Sequence, residues 1–430
     1  MFLKNQQILI IIVVLFFYFI FYEYLKLNFI MFLVIKRGII TPDKYWWSIS
    51  DNFLNPHVLN DFFYNQKKKY PYYRNMSTMF GNFKIITDFS LAEYILLNSP
   101  FVFGPGKVKT AFFNNFMSDN VGISLSNEWK IRRKFNEDIL NTSSKIHELH
   151  SVIWNIVNTE LCDYLKNVDK ITFDNLRNCS RNIALQIVFG YKDERIYDIF
   201  KGSNDITSIM YSKKNKKNKM IHMYIQRSMN NKESLIGLIN EFHYNDDYIV
   251  NIADQVPHWL FPMTGLINIM LLRLLYLITA NSCYNFYLDV ADPSLNNVIL
   301  ESLRLNNPVV TFFRKCLKDS EFSGISFKKN EEILILANPL LRNPEVFQNP
   351  NIFDPDRWND DRLYKYLIMF GLGRQTCPGR NLSLLILKYG VISVFSYLNE
   401  NGKKLISNKI FDVPDMMNPF KIEINIINNL

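Results

Sequence analysis

The residues best suited to chemistry in this 430-residue chain gather around Cys377. The run Phe370-Gly371-Leu372-Gly373-Arg374-Gln375-Thr376-Cys377-Pro378-Gly379-Arg380 opens with two glycines, closes with Pro-Gly and leads into a leucine-rich helix over 381–395. The backbone must therefore turn tightly around one sulfur. A thiol at a helix start, flanked by Arg374 and Arg380, is expected to ionise below its ordinary pKa. A thiolate so presented serves either as a nucleophile or as an axial metal ligand, and the residues alone leave both readings open. A merely buried cysteine has no need of this much glycine.

No second centre competes with it. The other cysteines, Cys162, Cys179, Cys283 and Cys316, lie far apart and form no C-x-x-C pair, which excludes a zinc ribbon and a disulfide-stapled scaffold and suits a reduced, cytosol-facing chain. His147-Glu148-Leu149-His150 lacks the i, i+4 spacing of a zinc protease, so it reads as two solvent-side histidines on an amphipathic helix.

The elements that must position Cys377 belong to a globular body. Hydrophobic residues are 48%, aromatics 15% and charged residues 21% of the chain, enough apolar surface to bury a large core. The net charge of +9 is too dilute to argue for nucleic acid. Before the body stands the uncharged run Ile8 to Tyr22. It spans about 22 Å as a helix and approaches the ~30 Å hydrocarbon thickness by adding Tyr24 and Leu25. Lys26, Lys36, Arg37 and Lys44 follow it while only Lys4 precedes it. That asymmetry predicts a single-pass N-terminal anchor and linker over 1–36, with a cytoplasmic domain over 37–430. No A-x-A cleavage site follows the run.

Within the body, the pattern predicts a polar-faced helix over 58–69 and a hairpin over 72–87 broken at Gly81-Asn82. A mostly helical mass extends from Asn114 to about Asn281. The basic run 213–219 reads as a solvated loop, with membrane-surface contact as the sharper alternative. The fold class is mainly α with a small β region.

The loop at Cys377 resembles the haem-binding loop F-x-x-G-x-R-x-C-x-G of the cytochrome P-450 family, with Phe370, Gly373, Cys377 and Gly379 in register. The resemblance implies that Cys377 is the proximal thiolate on the iron of haem b, and that Phe370 shields the sulfur. One position departs: Gln375 stands where the family has Arg, with Arg374 beside it, implying a weaker or rerouted contact to a haem propionate. Glu301-Ser302-Leu303-Arg304 matches the family's E-x-x-R helix, whose spacing lets carboxylate and guanidinium face each other. Phe353-Asp354-Pro355-Asp356-Arg357-Trp358 resembles the stretch whose Arg completes a Glu-Arg-Arg cluster, giving that role to Glu301, Arg304 and Arg357. Between them, the segment from Arg314 resembles the strand that sends a basic side chain to a propionate, so Arg314 is either that partner or an ordinary surface arginine. Trp129 and Arg133 fit W-x-x-x-R, one turn apart, where both reach a carboxylate-bearing cofactor edge. A packed tryptophan beside a solvated arginine is the alternative.

The resemblance implies a cytochrome P-450 fold behind the anchor, in the endoplasmic reticulum membrane. It also implies a monooxygenase that takes electrons from NADPH through a flavoprotein reductase and acts on a hydrophobic small molecule. The family's acid and alcohol pair over the distal haem face is missing. Placing 274–277 in the second half of the long helix sets 261–265 at that motif, where Thr264 is a lone hydroxyl and the catalytic candidate. Asp254 lies too far upstream to partner it, and Pro262 should kink the helix. A haem-thiolate isomerase or dehydratase that does not use dioxygen, or a catalytically impaired haem binder, is the alternative.

Overall fold

A computed structural model describes residues 25, 58–78, 81–114, 119–193, 195–196, 214–242, 244, 250–282, 289, 291–309, 311–414 and 416–429. The expected anchor over 1–36 lies outside these residues apart from Leu25, as do Lys213 and Cys283.

Aromatic and β-branched alternation near the start produces β1 (Tyr73–Thr78) and β2 (Gly81–Ile86), an antiparallel pair entered from helix α1 (Val58–Lys69). Thr78 pairs with Gly81 and Ser77 with Asn82, so the expected break at Gly81-Asn82 lies inside the returning strand. Gly81, at φ 115°, is the first residue of the returning strand. Helix α2 (Phe89–Leu97) starts where the Asp88 carboxylate accepts the Leu91 N–H. It is followed by β3 (Phe103–Pro105) and α3 (Lys107–Asn114).

The helical mass comprises α4 (Ser126–Ile139), α5 (His150–Lys166), α6 (Phe173–Phe189), α7 (Lys214–Ser228) and α8 (Leu235–Glu241). A short strand, β4 (Lys170–Thr172), separates α5 from α6. Helix α6 opens on a capping box between Thr172 and Asn175 and stops at Gly190 with φ 79°. The basic run is helical: residues 214–219 form the first turns of α7, where a loop was expected. His147 is buried ahead of α5, its Nδ1 accepting the Leu149 N–H, so the expectation of two solvent-side histidines fails at that position.

The long apolar helix runs as α9 (Ile252–Phe261), a π-helical turn over Pro262–Leu266, and α10 (Ile267–Ala280). The predicted disturbance at Pro262 takes the form of that wider turn, which absorbs the missing backbone donor without ending the helix. A second proline, Pro257, sits inside α9. The segment from Ile252 to Ala280 and helix α13 (Arg380–Glu400) are long and apolar enough to cross a membrane. Their most apolar windows are 67% and 72% buried in the protein, and such burial is equally the mark of core helices.

Helix α11 (Pro293–Leu305) begins with Asp292 as N-cap and proline at the first helical position. After it come β5 (Thr311–Cys316), the hairpin of β6 (Ser320–Phe322) and β7 (Ile325–Phe327), β8 (Glu332–Leu336) and α12 (Ala337–Leu341). The main sheet has the order β1-β2-β8-β5-β3, with β2 and β8 parallel and its other pairs antiparallel. The two N-terminal strands are thus completed by strands more than two hundred residues later. Near the C-terminus, β9 (Lys403–Ile406) and β10 (Glu423–Asn428) join β4 in a second sheet, ordered β4-β10-β9.

One carboxylate ties α11 to the chain that leads toward Cys377. Glu301 and Arg304 are fully buried. Arg304 donates to Glu301 through Nη2 (2.8 Å) and Nε (2.9 Å), Arg357 through Nε (3.0 Å), Trp358 through Nε1 (3.0 Å) and Asp354 through its backbone N–H (3.0 Å). The remaining Arg304 donor, Nη1, reaches the carbonyls of Leu341 and Pro350, both at 2.9 Å. The expected Glu-Arg-Arg cluster is formed, with Trp358 as an addition. Glu301→Gln keeps the shape but leaves Arg304 without its anion and Arg357 with only Asp354 at 3.7 Å, and is expected to cost about 3–5 kcal/mol. The unfolding midpoint in urea measures it; an unchanged midpoint would show the carboxylate to be dispensable.

Candidate active site

The loop that presents Cys377 is built from consecutive tight turns. Gly371 and Gly373 adopt φ 75° and 65°, a region closed to most side chains. A Cβ on Gly373 would also stand 3.0 Å from the Leu97 Cα. The Cys377 N–H donates to the Phe370 carbonyl at 2.8 Å, closing the loop, and Pro378 is held from behind by the Thr142 hydroxyl at 2.7 Å. Helix α13 starts at Arg380, so the sulfur lies just ahead of its N-terminus. The Arg380 guanidinium lies over the Phe370 ring at 5.8 Å.

Cys377 faces a cavity of about 310 Å3 that β5, α3, α4, the long helix and the cysteine loop enclose together. Trp129, Arg133, Arg314 and Phe370 line the same cavity, so most of the expected site residues converge there. Arg314 is buried rather than on the surface. Its Nε donates to Ser99 Oγ and its Nη1 to the Phe313 carbonyl, each at 3.1 Å, and burial pushes its pKa down to about 10. Arg133 donates through Nε to Glu137 (2.6 Å) and through Nη1 to the Thr376 carbonyl (2.5 Å), which links α4 directly to the cysteine loop. Trp129 is buried with its indole N–H unpaired among the described residues.

Two expectations fail in this geometry. Arg374 is exposed and stacks over Phe101 at 5.5 Å, while Gln375 is the residue that lines the cavity. The 3-10 turn over Gly373–Gln375 swings neighbouring side chains far apart, so one residue of offset decides which faces inward. Thr264 is not among the lining residues, and its hydroxyl donates to the Leu260 carbonyl at 2.9 Å. From the long helix the cavity receives His258, Phe261, Pro262, Leu266, Ile267 and Met270.

The thiol departs from expectation as well. Burial raises the Cys377 pKa, outweighing the opposing pull of the Gly379 N–H, Arg133 and Arg380. A neutral thiol is the form an empty apolar cavity favours; a metal cation displaces its proton.

Lys109 went unnoticed in the sequence. It lines the cavity, burial and the nearby Arg314 lower its pKa to about 7, and no hydrogen bond or ion pair to its ammonium is found among the described residues. Lys109 and Arg314 bring to the cavity two cations with no carboxylate partner among the described residues, beside the Trp129 indole and Arg133, whose own anion is Glu137. A flat ligand bearing carboxylates and a thiolate-binding metal supplies both what these donors and what Cys377 require. Haem has that chemistry, and the side chains present fit it.

Comparison with known proteins agrees on the fold. Residues 292–403 match the family model described as Cytochrome P450. Abscisic acid 8'-hydroxylase 4 of Arabidopsis thaliana is 31% identical over 125 residues, covering 28% of this chain and 27% of its own length. Beta-amyrin 28-monooxygenase CYP716A378 of Saponaria officinalis is 32% identical over 129 residues, covering 29% and 26%. The matched stretch is thus about a quarter of each curated relative. The structure of retinoic acid bound cyanobacterial CYP120A1 superposes with a TM-score of 0.67 at 16% identity, over 87% of this chain and 95% of that one. The mainly helical architecture with a small sheet region is therefore that of a known fold.

The loop geometry yields a direct test. Gly373→Ala places a Cβ in the left-handed region at a cost of about 1–2 kcal/mol, before any displacement of α2. Urea denaturation should register that loss, and a variant as stable as the parent would contradict the observed turn.

Proposed function

We propose that this chain, whose residues 292–403 match the Cytochrome P450 family model and whose fold is that of a solved member, is a haem-thiolate monooxygenase of that family. In this reading it inserts one oxygen atom from dioxygen into a hydrophobic small molecule, with electrons from NADPH delivered by a flavoprotein reductase. The observation that carries the reading is the convergence of Cys377 and an anion-seeking donor set on one cavity. The names of the plant relatives, a hydroxylase and a monooxygenase, support it.

When bound, haem supplies the iron at which dioxygen is reduced. Cys377 would contribute the thiolate ligand and its electron donation to the iron. The Phe370 carbonyl and the turns at Gly371 and Gly373 fix the sulfur's backbone, so the ligand is oriented before the cofactor arrives. Lys109, Trp129, Arg133 and Arg314 would hold the carboxylates of a bound haem. Gln375 offers an amide where the family has a guanidinium, leaving Lys109 and Arg314 to carry more of the charge. Phe261, Pro262, Leu266 and Met270 exclude water and receive an apolar substrate. The segment 1–36 anchors the domain at the endoplasmic reticulum membrane with its catalytic part in the cytoplasm, a reading supported by the apolar run and the basic residues after it.

One observation favours a second reading. The only hydroxyl at the expected proton-relay segment, Thr264, is bonded back to the Leu260 carbonyl, as suits a haem-thiolate isomerase or dehydratase that works without dioxygen. Omitting the reductase from an assay separates the two, because only the monooxygenase stops.

The reduced, carbon-monoxide-bound spectrum of the full chain tests the common premise. A strongly red-shifted Soret band is expected and should vanish in Cys377→Ala; a band that survives the substitution would overturn thiolate ligation. Lys109→Met should release haem faster by about tenfold or more, the equivalent of one charge-assisted hydrogen bond, while stabilising the haem-free protein by removing a buried charge. Transfer of haem to an acceptor globin measures the first effect and thermal unfolding the second. An unchanged release rate would remove Lys109 from the carboxylate set.

A further inference from the structure

The long helix presents one titratable side chain to the cavity among the described residues, and it is not one of the family's relay groups. His258 stands four residues before Pro262, on the stripe that continues through Leu266 and Met270. Its Nδ1 is enclosed and has no hydrogen-bond partner among the described residues. No bond to Nε2 is found among the described residues, and the accessible part of the ring opens on the cavity. The ring is held in place. Phe113 meets it edge-on at 6.3 Å, and the next residue, Trp259, donates to Asn136 at 2.7 Å and stacks on Phe135. Burial, with Lys109 and Arg133 nearby, lowers its pKa to about 4, so the imidazole is neutral at physiological pH and keeps one N–H and one lone pair.

We propose that His258, through Nε2–H, is the hydrogen-bond donor this chain presents to a ligand on the haem face remote from Cys377, standing in for the missing acid and alcohol. The inference rests on the haem-thiolate reading above. Three features support it. Thr264 is committed to the Leu260 carbonyl, and the lining residues of the π-helical turn, Pro262 and Leu266, carry no side-chain donor. A neutral imidazole with its proton on Nε2 leaves the enclosed Nδ1 as a lone pair and turns its donor toward the cavity. The polarity and donors of that pocket decide what a haem does with a small ligand, so one preoriented N–H on a helix whose other lining side chains are apolar has a large effect. His258 is a positioning donor in this scheme, and no covalent step passes through it.

The test is the infrared C–O stretch of the carbon monoxide complex of reduced, haem-loaded protein, with carbon monoxide as the probe. A donor aimed at the ligand oxygen lowers that frequency. His258→Leu should therefore raise it, and His258→Gln, which keeps an N–H, should fall between the two. A purely structural histidine does not move the band, so both variants absorbing at the parent frequency would overturn the proposal. Where His258→Leu fails to load haem, His258→Gln against the parent decides: a shifted band supports the donor and an unshifted band refutes it. Failure of the haem-thiolate reading looks different, since the red-shifted Soret band would then be missing from the parent itself.

Discussion

A single buried carboxylate organises the path to the reactive sulfur. Glu301 lies fully inside the protein, where an unpaired charge would be prohibitive. It is satisfied by donors from its own helix and from residues 354–358. Because Arg304 spends its other terminal nitrogen on the carbonyls of Leu341 and Pro350, the ion pair also fastens α12 and the loop after it. The segment that follows is the one that reaches the cysteine loop. The cluster is thus a clamp at the base of the site, and its value is geometric. Hydrophobic packing is non-directional, whereas a carboxylate with five donors admits few arrangements.

The site above that clamp sets two electrostatic demands against each other. Burial raises the Cys377 pKa and makes Lys109 a weaker base, so desolvation alone opposes the charge states that would bind a metal and carboxylates. A ligand carrying a metal cation and carboxylates relieves both together. The desolvation of Lys109 and Arg314 would be offset by such a ligand's carboxylates. Arg133 couples the two halves, since one guanidinium lines the cavity and holds the Thr376 carbonyl beside the sulfur.

Features set by short-range spacing were legible in the sequence. The glycines around Cys377, the i, i+3 pair Glu301 and Arg304, and the one-turn pair Trp129 and Arg133 are local patterns, and the structure brings each to the place the pattern implied. Lys109 and His258 were missed because no spacing marks them. Lys109 sits in a short helix before α4 and His258 within an apolar helical stretch, and only the packing of α3 against β5 and of α9 over α4 brings them to the cavity. Arg374 was misplaced for a finer reason: Gln375 and Arg374 differ by one position in a 3-10 turn, and facing cannot be read there without the dihedrals. The hairpin register slipped in the same way, since Gly81 suited either a turn or the first strand position after it.

The π-helical turn at Pro262–Leu266 connects these points. Proline removes one backbone donor, and the wider turn accommodates the loss while inserting an extra residue into the helical count. A residue pattern read with a regular helical period drifts at such a turn, which is why Thr264 was expected at the cavity and is found bonded to Leu260. The same change of phase leaves Phe261, Pro262 and Leu266 on the wall. It also makes His258, one turn earlier in regular helix, the place where a polar group can face the cavity without disturbing the turn. The π-helical turn and the imidazole one turn before it thus face the cavity together, the first without a side-chain donor and the second with one.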